Sequence, residues 1–183
     1  EYLEEVARSY GFDGMLYVSN GTVATLAQLG IDAYAAYHWG ATGYTYETNV
    51  GKNTEIAKEA NETNGAVYVI PTISVGYNDF AWRSWKAPLM TLEDYEKCHE
   101  WVTGTYIPEN AEKDTWQEKM VWLSTWNEYG EGTYMMPAED LHGFGYLDVI
   151  RSKYTDLDEN HTDIVPTEEQ GERIQHLYPQ YAR

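Results

Sequence analysis

The sequence predicts an α/β fold: the C-terminal half of a (β/α)8 TIM barrel, with about four parallel strands and their helices. Three observations carry this prediction. Short, nearly continuous apolar runs alternate four times with helical patterns, as strands buried on both faces of a parallel sheet do. The segments after the apolar runs are long and chemically loaded ("HWGATGYTYE", "SVGYNDFAWRSW", "NEYGEGTYMMPAED"), while those before them are short. Barrel sites are built from such loops at the C-terminal ends of the strands. Finally, a whole barrel takes eight strands and about 250 residues, and this chain has 183 residues. A small open α/β sheet is the alternative. It would lack G-x-G-x-x-G or any other phosphate loop, which leaves nucleotide-binding versions little support.

Each element has its own signal. Residues 2–10 carry Leu3, Val6, Ala7 and Tyr10 at helical spacing, and a strand is expected near 14–19. "GTVATLAQLG" reads as a short helix closed by Gly30, and "IDAYAAYHWG" holds a second strand near 31–37. A polar loop follows, then a helix over 51–61 and a third strand near 66–72. After an aromatic loop, Thr91 with Asp94 reads as a capping-box variant opening a helix to about 104. A fourth strand is expected near 119–125 and a helix over 143–154. Residues 155–183 form a polar extension with a short helix near 167–177, so 1–183 reads as one partial barrel domain. The opening "EYLEEVARSYGF" reads as the middle of a domain, a helix with no strand before it.

Composition excludes several classes. The apolar share is 43%, near the globular norm. Twelve Lys and Arg against 30 Asp and Glu leave a formal charge of −18, a surface that repels nucleic acid and anionic membranes. No run is long and apolar enough to span a bilayer, so neither nucleic acid nor membrane is an expected partner. No calcium loop or Cys/His zinc pattern is present, and neither metal nor cofactor is expected. Cys98, the one cysteine, lies on an amphipathic helix and reads as a buried structural thiol. Seven Trp and 17 Tyr are many; they serve either as core or as a surface that stacks on flat sugar rings.

The chemistry concentrates in "STWNEYGEG", where Glu128 and Glu131 follow the fourth strand three positions apart. In a single turn, such positions lie on one side, about 5–6 Å apart at Cβ. Two close carboxylates repel, so one tends to hold a proton while the other is ionised. That division suits glycoside cleavage, and retaining enzymes need their carboxyls about 5–5.5 Å apart. Two solvated loop glutamates are the plainer reading. Around the pair, Trp126, Asn127, Tyr129 and Tyr134 supply rings and an amide for sugar binding, and Gly130 and Gly132 are read as letting the backbone bend sharply.

"STWNEYGEGTYMMPAEDLHGFGYLDVIRSKY" resembles the C-terminal signature of glycoside hydrolase family 99-like barrels, including the WbsX group often labelled glycosyltransferases. "YLEEVARSYGFDGMLYV", "GIDAYAAYHWG" and "PTISVGYNDFAWRSW" are similar to earlier steps of those barrels, so the likeness reaches Tyr154. The resemblance implies a (β/α)8 fold and an α-mannoside-type oligo- or polysaccharide substrate. It also implies that Glu128 is the base acting on the sugar 2-hydroxyl and Glu131 the acid, then the base for water. A retained anomeric configuration through an anhydro sugar follows. Tyr129, Gly130 and Met136 stand where characterised members carry Trp, His and Glu, and the first half of the barrel has no counterpart here. A missing N-terminal half-barrel or a second copy is therefore expected, and a polysaccharide hydrolase of this kind is expected outside the cytoplasm. A sugar transferase and a non-catalytic glycan-binding module remain the rivals.

Two more clusters end strands at the same mouth. Tyr37, His38 and Trp39 close the second strand, as sugar contacts or as packed residues. Tyr77, Asn78, Asp79, Trp82 and Arg83 follow the third, where an Arg beside an Asp serves either an ion pair or a subsite.

Overall fold

The structure, a computed structural model, describes residues 2–40, 44–79, 82, 88–138, 142–157, 162 and 164–177. Its elements run α1 (Tyr2–Ser9), β1 (Val18–Ser19), α2 (Val23–Leu29), β2 (Ala33–Tyr34) and α3 (Tyr46–Asn61). Next come β3 (Tyr68–Val69), β4 (Thr72–Ser74), α4 (Leu92–Trp101), α5 (Ile107–Asn110) and β5 (Trp122–Ser124). The hairpin β6 (Asn127–Glu128) and β7 (Thr133–Tyr134), then α6 (Gly145–Tyr154) and α7 (Glu168–Leu177), complete the order. The fold is α/β with parallel strands. β1, β2 and β3 pair in sequence order, Ala33 lying opposite Val18 and Tyr68, and β4 pairs with β5. Among the described residues β1 and β5 each have one strand neighbour.

Local chemistry explains the helix ends. Gly30 closes α2 in the left-handed conformation, φ 69°, as its position suggests. Helix α3 begins five residues before the expected start, because Thr45 and Thr48 cap each other: each hydroxyl accepts the other's backbone N–H, at 3.3 and 3.2 Å. The Thr91 hydroxyl accepts the Asp94 N–H at 3.1 Å and opens α4. One helix to about 104 was expected there. Instead α4 continues through a π-helical turn, Val102–Tyr106, into α5.

The strands are shorter than their apolar runs, and the third is divided. The expected 66–72 strand becomes β3 and β4, separated by Ile70 and Pro71. Pro71 has no N–H to give a ladder. Beyond it, β4 pairs with β5 on one edge. On its other edge, two buried asparagines of α3 stand where a strand would be. Asn53 accepts the Thr72 N–H at 2.8 Å and donates to the Thr72 carbonyl at 2.9 Å. Asn49 does the same for Ser74, at 2.9 and 3.3 Å. Spaced i and i+4, both side chains leave α3 on one face, in register with alternate residues of the strand. At the other end, the run expected at 14–19 pairs only at Val18 and Ser19, leaving Met15 and Leu16 exposed.

Two apolar clusters make the core. One joins α2, the first three strands and Tyr106; the other joins β4, α4, Met135 and Tyr146. Cys98 is buried in the second, as its helical face predicts. Burial pushes its thiol up to about 12. His99 is also fully buried, its Nδ1 2.7 Å from the Tyr154 hydroxyl.

Candidate active site

Strand β5 ends at buried Ser124, and the chain turns at once into the β6–β7 hairpin. Asn127 pairs with Tyr134 and Glu128 with Thr133, while the Thr125 hydroxyl donates to the Thr133 carbonyl. Between the two short strands, Tyr129–Glu131 make one 3-10 turn, with Glu128 as its N-cap. A 3-10 turn has about three residues per turn, so positions three apart eclipse. The single turn expected for "NEYGEG" is therefore present, with Glu131 inside it and Glu128 at its start.

Gly132 takes φ 55°, and a Cβ there would lie 2.6 Å from Asn78 Cβ and 2.8 Å from the Asn78 carbonyl oxygen. Its role is both the turn and a close approach. Gly130 differs from the expectation of a bend: its φ is not positive, and what its missing side chain permits is contact.

Two other strand ends meet this turn. From the end of β2, the Tyr37 hydroxyl donates to Glu131 Oε2 at 2.8 Å. From the end of β4, the Asn78 N–H donates to the Glu131 carbonyl at 2.7 Å. Glu131 is thus held through both backbone and side chain, whereas Glu128 is exposed. Burial pushes Tyr37 up to about 12, helped by its bond to Glu131 and by the charges of Glu131 and Glu128. Both carboxylates therefore act on one hydroxyl.

His38 lies beside them, its ring stacked on Tyr77 at 4.6 Å and edge-on to Tyr37 at 4.9 Å. Its Nδ1 accepts the Gly40 N–H at 2.7 Å, which puts the proton of the neutral ring on Nε2. Burial lowers its pKa, and the charge of Glu131 opposes that shift. Trp126 and Tyr129 are exposed on the hairpin. Tyr129 packs on Tyr134 at 4.8 Å between ring centres, with its hydroxyl 2.9 Å from Met136 Sδ. Asp79 is buried, its carbonyl accepting the Trp82 N–H at 2.8 Å.

Trp39 departs from the expected mouth. It is buried, and its indole N–H donates to the Thr72 carbonyl at 2.9 Å, filling the gap where the sheet divides. Arg83 lies outside the described residues. Sequence reasoning passed over Ser124 and Thr133, whose buried hydroxyls have no hydrogen-bond partner among the described residues. Their signal was weak: single hydroxyls inside apolar or turn segments. Among the described residues no cluster of His, Cys, Asp and Glu could hold a metal, and no helix is long and apolar enough to cross a membrane.

Parallel strands whose C-terminal ends bring carboxylates, tyrosines and an imidazole together make this an α/β protein with a candidate polar site. The family model described as Glycosyltransferase WbsX matches residues 7–150. The match covers most of the chain, and the chain belongs to this family of carbohydrate-active enzymes. No curated protein matches it.

Proposed function

We propose that Glu128 and Glu131 are the working pair of a carbohydrate-active site that cleaves α-mannoside-type bonds in an oligo- or polysaccharide with retention. The observation that carries this reading is the 2.8 Å bond from Tyr37 to Glu131. It ties a carboxylate of the motif to the end of a separate strand. Two solvated loop glutamates need no such arrangement.

The roles follow from balance. Glu128 takes the proton of the sugar 2-hydroxyl, and that oxygen forms a bond to the anomeric carbon. Glu131 gives its proton to the leaving oxygen as the glycosidic bond breaks. Tyr37 occupies Oε2 and leaves Oε1 to carry that proton. As a carboxylate, Glu131 then takes a proton from the water that attacks the anomeric carbon. The 2-oxygen leaves and recovers its proton from Glu128. Two inversions retain the configuration. His38 Nε2–H and the rings of Tyr77, Trp126 and Trp82 bind sugar hydroxyls and faces.

The family description favours a second reading, transfer of a sugar in polysaccharide synthesis. We further propose that the sheet is part of a (β/α)8 barrel completed by a preceding half-barrel or by a second copy. The parallel strands in sequence order support this, and β1, β3, β4 and β5 each have one strand neighbour among the described residues. Edges of that kind are normally covered. Incubation with α-mannans, with NMR of the first-formed anomer, tests the activity. Release of retained sugar supports hydrolysis. Extension of an acceptor from an activated donor, with no release, supports transfer. Binding without either leaves a glycan-binding module.

A further inference from the structure

We propose that Gly130 is a specificity-determining position: having no side chain, it lets the Trp82 indole lie against the turn between the two glutamates and act as a stacking platform for a sugar ring beside Glu128. This rests on the carbohydrate reading above and adds a subsite to it. A Cβ built on Gly130 would stand 2.6 Å from Trp82 Cζ2, 3.3 Å from its Cη2 and 3.5 Å from Glu128 Oε1. The indole, the turn backbone and the carboxylate therefore meet at one point. Trp82 is 68% exposed, so one edge of the ring lies against the turn while most of it stays open to solvent. A flat apolar surface of this kind, next to a carboxylate, is complementary to a neutral sugar. The C–H faces of the sugar cover the ring while its hydroxyls reach the polar groups.

The two glycines of the turn have different duties. At Gly132 the backbone is left-handed and the obstacle is the Asn78 main chain, so a side chain there strains the fold. At Gly130 the obstacle is the far end of an exposed side chain, which can swing away. A methyl group at 130 thus evicts the platform and spares the fold.

The test uses the protein labelled with 5-fluorotryptophan and α-linked mannotetraose as probe. Loss of a resonance in Trp82→Phe assigns the ring in the fluorine spectrum. In Gly130→Ala that resonance should move to the position of a solvated indole, with the melting temperature within about 2 °C of wild type. Gly132→Ala should melt lower by more than this. Gly130→Ala and Trp82→Ala should each weaken mannotetraose binding by about three- to tenfold, and the double variant no further. An unmoved resonance, or Gly130→Ala binding as tightly as wild type, overturns the proposal while the function stands. If wild type binds another neutral glycan but no α-mannoside, the substrate reading falls, and the same variants decide the platform with that glycan. Binding of no neutral glycan overturns both.

Discussion

Tyr37 donates a 2.8 Å hydrogen bond to Glu131 across 94 positions of sequence. One carboxylate of the motif is therefore oriented by the end of β2, while its backbone is held by the loop after β4 through Asn78. Three strand ends share the placement of a single side chain.

Tyr37→Phe keeps the ring and deletes the donor. Turnover should fall by about ten- to a hundredfold with KM nearly unchanged, because the loss is in orienting Glu131 and not in gripping substrate. A rise in KM alone would show Tyr37 to be a sugar contact. The hydroxyl ionises near 12 in the fold and near 10 when unfolded. Its contribution is thus complete below pH 10 and fades as pH rises from 10 toward 12. Ultraviolet titration of wild type against Tyr37→Phe measures this.

Glu131→Gln should stop cleavage of substrates with poor leaving groups and spare much of the turnover on activated aryl glycosides, which need no acid. Glu128→Gln should abolish both. Circular dichroism should match wild type in each case. Equal loss on both substrates in Glu131→Gln would remove its assignment as the acid.

Asn53 satisfies the N–H and the carbonyl of Thr72 from inside the protein. Asn53→Ala should destabilise by about 1–3 kcal/mol, the cost of stranding the buried Thr72 N–H, while the Thr72 carbonyl keeps the Trp39 indole N–H. Urea denaturation should show a lower midpoint with an unchanged slope. A midpoint equal to wild type would mean that another group replaces the asparagine.

His99 makes the fold sensitive to acid. Burial first, then Lys153, lowers its pKa from 6.5 to about 3. The unfolded chain takes up a proton below 6.5 that the fold refuses until near 3, so stability is lost as pH falls through this window. The slope is at most about 1.4 kcal/mol per pH unit. Tyr95, Tyr154 and Lys153, itself paired with Glu96 and Glu100, surround the ring. Denaturation at pH 7 and pH 5 should show a smaller loss in His99→Gln than in wild type. Equal losses would assign the acid sensitivity to carboxylates.

Much of the chain was legible because its signals are local. The 3.6 and near-continuous apolar patterns marked helices and buried strands. Gly30 and Thr91 marked helix ends through hydrogen bonds that close within a few residues. The motif suggested a single turn, and one turn is what Tyr129–Glu131 form, with Glu128 at its start. Cys98 was legible as a core thiol from the face of its helix.

What only the tertiary structure decided depends on residues far apart in the chain. An apolar run shows that a strand is buried but not where its ladder ends. Pro71, with Asn49 and Asn53 from another element, divided the third strand. Trp39 looked like a mouth residue because it follows a strand, yet the gap left by that division drew it inward. Tyr37 read as a candidate sugar contact, and only the fold set its hydroxyl on Glu131. Gly130 read as a point where the backbone bends sharply, whereas a ring from a different loop makes its missing side chain matter. Residue type and spacing along the chain determine what an element is and which chemistry it carries. Which groups meet is determined by the packing of elements against one another, and that is a property of pairs of distant residues.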